Sequence, residues 1–225
     1  MSAENENKPA GEDRKGFAGM SREELRARAD AAAKHARAKS EFILSRAYGL
    51  FRDPKLEWDQ IKAEETTIAS ILLGYVAPLS GFFSVCVLVG SLFFEHPPFV
   101  KAVISAIVTF LVLTGMIYLI GFILNTVAEY FDAQRNELGS QKVAAYAFTP
   151  FFLSGVFWLW PPLIWVSIIA VGLSAYLLYR GLIPLMKAPV ERATPYAVTV
   201  CTVGLVAFIA AFLLASCVTS IAILA

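Results

Sequence analysis

Residues Glu57–Pro78, EWDQIKAEETTIASILLGYVAP, mark the point where the chain changes solvent. Before Glu65 the sequence is charged and alanine-rich; after it the sequence turns apolar and stays so, with short interruptions, to Ala225. Residues 1–66 hold 13 acidic and 13 basic side chains, and the other 159 residues hold only 11. A soluble fold could not cover its surface with so few charges over such a length. Overall the chain is 16% charged and 57% hydrophobic, with a mean hydropathy of +0.63. Soluble domains carry about 25% charged residues. The composition therefore predicts an all-α, polytopic membrane helix bundle whose first partner is the lipid bilayer.

Outward from this boundary, the N-terminal side divides in two. Residues 1–20, polar and punctuated by Gly and Pro, read as a disordered tail. Residues 21–66 read as a cytosolic and interfacial helical region. Ser21 and Glu24 fit a capping box, and a helix is expected from Leu25 to about Lys39 on propensity. Its apolar side is mostly alanine, so it has little to bury. Residues 43, 47, 50 and 51 then share a helical face, the pattern of an amphipathic helix at headgroup level. Asp53-Pro54 ends that helix and opens another, because the residue before proline disfavours the helical region. Trp58 on this next helix is expected at the membrane interface with its indole N–H in water.

On the C-terminal side, residues 67–225 read as five spans: 67–94, 99–127, 143–158, 163–179 and 194–224. Each supplies the roughly 20 apolar residues needed to cross ~30 Å of hydrocarbon. Residues 163–179 can extend to Met186 with Arg180 snorkelling. Trp158, Trp160 and Tyr179 join Trp58 as interface anchors. Nine cationic residues (Arg46, Arg52, Lys55, Lys62, Arg135, Lys142, Arg180, Lys187 and Arg192) fall on the side of the N-terminus, against Lys101 alone on the other. The positive-inside rule then places the N-terminus in the cytoplasm and the C-terminus outside. With no apolar core in residues 1–40, a cleaved signal peptide is not expected, and the first span is expected to act as an uncleaved anchor.

Within the spans, Pro78 and Pro150 each remove a backbone donor and predict helix kinks. Ser80, Ser84, Thr149 and Ser154 stand nearby as hydroxyl donors for the freed carbonyls. Ala207, Ala211 and Ala215 repeat at four-residue spacing, a helix-packing face that serves the bundle or a homo-oligomer. The predicted span cores hold no charge, which argues against an ion-coupled pump with an intramembrane carboxylate.

Signs of chemistry are lacking. No nucleophile–base–acid set, Walker motif or zinc signature occurs, so no catalytic, cofactor-binding or metal residue is assigned and an enzyme is not expected. His35 and His96 lie far apart. Cys86, Cys201 and Cys217 sit in apolar runs without CxxC spacing and read as small buried hydrophobes. Glu64 and Glu65 are adjacent, about 100° apart on a helix, and read as a solvated pair at a helix start. The loop Glu129–Glu137 reads as a polar connector. A net charge of +1 gives no global field for nucleic acid.

Asp53-Pro54, Glu57-Trp58, Ile61, Glu64-Glu65 and Gly74-Tyr75-Val76-Ala77-Pro78-Leu79 together resemble the opening of the Yip1 family, bacterial branch. Gly139-Ser140-Gln141-Lys142 leading through Ala145-Tyr146 to Thr149-Pro150 continues the likeness. So do Tyr176–Leu182 and Leu185–Tyr196, giving cover from about residue 50 to 224. The resemblance implies a five-span protein with a cytosolic N-terminus. Eukaryotic relatives are linked to Rab GTPases and vesicle traffic, and nothing in these residues carries that link across. The expected function is a non-enzymatic membrane-organising, adaptor or scaffold protein of a bacterial inner membrane, recruiting a protein partner through its cytosolic N-terminal region. A small permease, channel or lipid-handling protein is the alternative.

Overall fold

The computed structural model describes the backbone of residues 22–224, and the side chains in that range except residues 22–25, 35, 36, 215 and 217–224. The expected tail (1–20), the hydroxyl of Ser21 and the side chain of Ala215 lie outside the described residues. The described chain is helical throughout, without strands. It forms two compact units, one ending at Leu44 and one beginning at Ser45.

Helix α1 runs from Arg22 to Arg52 without a break. The sequence suggested two pieces, but no Gly or Pro lies between Ser21 and Tyr48 to separate them. Where described, its side chains from Arg26 to Phe42 are exposed. In the second unit, Ala47 and Leu50 are buried while Tyr48 and Phe51 remain exposed. Asp53 ends α1 and caps α2, Pro54–Ala63, by accepting a hydrogen bond from the Leu56 N–H, with Pro54 in the first turn.

Among the described residues, five helices are long and apolar enough to cross a membrane: Ile68–Phe94, Phe99–Phe131, Glu137–Leu159, Val166–Met186 and Val190–Leu214. The first contains a π turn at Leu72–Val76, directly before Pro78. There the Ala77 N–H reaches back five residues to the Leu72 carbonyl. This widened turn lies where the proline withdraws a donor. The third helix is interrupted at Phe148, before Pro150, and finishes as a 3₁₀ segment from Ser154 to Leu159. The carbonyl that Pro150 orphans is that of Tyr146, and the Thr149 hydroxyl donates to it at 2.7 Å. Ser174 on the fourth helix accepts from the Phe151 N–H at 3.3 Å, supplying a partner at the restart. The fourth and fifth helices carry further internal prolines, Pro184 and Pro195.

The third helix begins at Glu137, earlier than the apolar run at Val143 suggested. Gly139, Ser140, Gln141 and Lys142 look like loop residues, yet all four are buried in its first turns. Asn136 caps the helix by accepting from the Gly139 N–H at 2.9 Å. The fourth helix begins at Val166, after a 3₁₀ turn over Pro161–Leu163, and continues to Met186. The first, second and fourth helices pack around the third. The fifth lies on the second and fourth, and Tyr196 near its start donates to the Leu124 carbonyl. At one end of the bundle the Gln134 N–H donates to the Met186 carbonyl at 2.8 Å, tying the loop before the third helix to the end of the fourth.

Candidate functional site

The densest polar chemistry of the second unit gathers where α2, the linker after it and the third helix meet. Arg46 reaches from the last turns of α1 to two carboxylates, with Nη1 2.7 Å from Glu57 Oε1 and Nη2 2.9 Å from Glu64 Oε2. Its guanidinium lies 5.6 Å from the centroid of the Tyr146 ring, within cation–π range. Glu57 folds over Gly49, where no Cβ would fit. A planar fork with several donors suits this bridging role better than an ammonium does.

Lys142 comes from the third helix. Its Nζ donates to the carbonyls of Ile61 at 2.7 Å and Glu64 at 2.6 Å, and the residue is 3% exposed. The last carbonyls of any helix lack intrahelical donors. Lys142 supplies one for α2 from a different part of the chain, and its positive charge complements the helix dipole there. Two cations and two carboxylates thus form a neutral, largely buried quartet. Neutrality matters, because an uncompensated buried charge is far costlier than a paired one.

Behind the quartet runs a hydrogen-bonded chain. Tyr75 and Thr149 are 2.7 Å apart through their hydroxyls, and Thr149 donates its proton to the Tyr146 carbonyl. Tyr75 must therefore be the donor in the first contact. The rings of Tyr75 and Tyr146 stand 4.5 Å apart, tilted by 58°. One turn before Tyr146 along the third helix, Gln141 donates to the Tyr118 carbonyl at 3.0 Å.

Trp58 is 1% exposed, with its ring against Gly181 of the fourth helix. A Cβ at Gly181 would fall 2.8 Å from Trp58 Cζ2. The expected wet indole N–H is corrected: Nε1 is buried and makes no hydrogen bond among the described residues. The ring fills a slot in the protein, so its apolar surface meets side chains and helix backbone. Close to it in sequence, Phe51 and Leu56 are large apolar side chains that stay exposed.

The remaining residues singled out from the sequence are dispersed. Trp158 packs against Phe83 at 5.8 Å, Trp160 is exposed and Tyr179 is half-buried. Ala207 and Ala211 are half-buried. Glu64 and Glu65 part company: Glu64 joins the quartet and Glu65 is exposed. Among the described residues no group of three or more His, Cys, Asp or Glu could hold a metal ion.

The sequence does not reveal the quartet, because Arg46 and Lys142 read there only as cationic residues on the side of the N-terminus. One signal pointed to it: Gln141-Lys142 abut a long apolar run without Gly or Pro between, so helix should continue through them. Polar groups on a bundle helix need protein partners.

Five apolar helices joined by short turns, with Gln141, Lys142 and Thr149 buried and many large apolar side chains exposed, define an integral membrane protein. Among families, the Yip1 domain matches residues 48–211. The chain belongs to the Yip1 family. Glu57, Glu64, Tyr75, Lys142, Tyr146 and Thr149 all fall inside the matched region, and Arg46 lies just before it. Neither the curated proteins nor the solved structures gave a match.

Proposed function

We propose that this protein is a non-enzymatic membrane organiser, an adaptor or scaffold that displays its N-terminal region to a cytosolic protein partner. The observation that carries this reading is how the charged side chains are spent. Arg46, Glu57, Glu64 and Lys142 hold α2 to the bundle. Meanwhile the charged, alanine-rich helix from Arg26 to Phe42 exposes its described side chains. A fixed membrane unit and a separate helix whose described side chains stay exposed suit recruitment better than turnover. Crosslinking and pull-down from cells should recover partners with the full chain and lose them when residues 1–44 are removed, while insertion persists. Recovery of the same partners by both forms overturns the recruitment role.

The proposed setting is a bacterial inner membrane, N-terminus in the cytoplasm and C-terminus in the periplasm. The cationic residues at 135, 142, 187 and 192 support it. A cysteine at position 137 should be labelled only from the cytoplasmic side. Trp158, Trp160 and Tyr179 serve in this reading as interface anchors, Pro78 and Pro150 as the bends of their helices. The face bearing Ala207, Ala211 and Ala215 is where a second copy would pack.

A lipid-handling or permease role is the second reading. It is favoured by an apolar groove of about 310 Å³ between the second, third, fourth and fifth helices, lined by residues such as Ile117, Phe151, Leu178 and Phe208. Purified protein in liposomes should then move labelled lipids or small solutes. Lack of flux across ions, solutes and lipids removes this reading.

A further inference from the structure

Beside the quartet lies a second cavity, of about 360 Å³ and open to one side. Its walls come from the linker after α2, the start of the third helix and the end of the fourth. Its size is at the lower end of the ~300–1,000 Å³ typical of small-molecule sites. Three lysines line it: Lys62, Lys142 and Lys187.

The charge balance of this cavity is positive. Of its two carboxylates, Glu64 is already paired with Arg46 and only Glu65 is exposed. Among the described residues neither Lys62 nor Lys187 forms an ion pair. The Lys142 ammonium has three donors. Two are used on the Ile61 and Glu64 carbonyls, and no third protein partner is present among the described residues. A nearly fully buried cation with a donor to spare thus forms part of the wall. The third helix also starts here, and Asn136 caps only its Gly139 N–H. The backbone amides ahead of that one favour an anion. The cavity lies where apolar helices end and polar linkers begin, which is headgroup level in a bilayer.

We propose that this cavity binds a phosphate group, with Lys142 at its base and Lys62 and Lys187 at its mouth. Basic pockets between membrane helices are suited to anionic headgroups, and a soluble phosphate ester offers the same chemistry. The site is independent of the adaptor reading, since it concerns the membrane-embedded unit alone. Its test must also separate the two sources.

The full-length protein and a K62A/K187A variant are purified in detergent and in nanodiscs of phosphatidylcholine with or without phosphatidic acid. Both substituted lysines are exposed at the mouth, so the fold should persist, which circular dichroism checks. Native mass spectrometry should show the wild type retaining phosphatidic acid over phosphatidylcholine, and the double variant losing roughly tenfold of that preference. A K55A/R192A variant, which removes two cations outside the cavity, should keep it. In detergent, a rise of the wild-type thermal midpoint with inorganic phosphate, absent in K62A/K187A, identifies a soluble ligand. A shift with lipid only identifies a headgroup. The proposal is overturned if K62A/K187A binds both probes as the wild type does. Equal losses in K55A/R192A overturn it too, since they mean general surface attraction.

Discussion

The third and fifth membrane helices are built on opposite plans. The third is the least apolar of the five, carrying Gln141, Lys142, Tyr146, Thr149 and Pro150, yet 61% of its apolar window is buried inside the protein. The fifth is the most apolar, and only 17% of its window is buried. In a soluble protein the order would be reversed. In lipid, apolar side chains can face outward at no cost, while every polar group must find a partner within the protein. Between these two helices burial follows polarity. The helix that would look weakest to a hydropathy scan is the one the first, second and fourth pack around.

The sharpest way to break this contrast is at Lys142. Lys142→Met keeps much of the side-chain volume but removes the donors to the Ile61 and Glu64 carbonyls, and leaves Arg46 facing two carboxylates. Removing one member of a buried charged set costs about 3–5 kcal/mol. The expected result is a large fall in resistance to denaturant in mild detergent, with early proteolysis between Asp53 and Thr67 as α2 detaches. If stability is unchanged, the lysine is not what holds α2.

Arg46→Ala should come next, at about 2–4 kcal/mol, since Glu57 and Glu64 would lose the cation between them. Arg46→Lys should recover only part, because one ammonium cannot make both contacts in the same geometry. A double-mutant cycle between Arg46 and Glu57 separates their coupling from mere loss of packing. Full rescue by lysine would show that charge alone matters and that the fork geometry does not.

The number and kind of membrane helices were legible in the sequence because the bilayer demands long apolar runs, and few other structures produce them. The start of the third helix was not. Gln141 and Lys142 donate to distant partners: the Tyr118 carbonyl for Gln141, the end of α2 for Lys142. No local pattern announces a contact across 81 residues of chain. Trp58 failed for the same reason. An indole near a membrane boundary reads as an interfacial anchor, and only the matching absence of a side chain at Gly181, far along the chain, shows that it has a slot to enter. The Pro150 break was half-legible: Thr149 was a candidate donor by proximity, and its acceptor follows from the four-residue helix repeat.

That Trp58–Gly181 fit gives a smaller test. Gly181→Ala would push a methyl group against a rigid ring, costing about 1–3 kcal/mol unless α2 shifts. The shift would expose Trp58, so its tryptophan fluorescence should move to the red and become quenchable from water. An unchanged spectrum with unchanged stability would mean that the ring has room to yield.

The smallest effect belongs on the fifth helix, and there a near-zero result is informative. Leu213 is 61% exposed on the described surface. If lipid covers it, Leu213→Ala exchanges one apolar contact with acyl chains for another and costs under about 1 kcal/mol, because lipid tails are as apolar as leucine. A soluble core leucine would lose about 2–5 kcal/mol on the same change. A loss in that higher range, with a change in oligomeric state by light scattering in detergent, would mean that a second copy covers this helix. The two outcomes separate a helix facing only lipid from one facing a partner. They would also decide whether low burial within one chain marks the edge of the protein or an interface still unfilled.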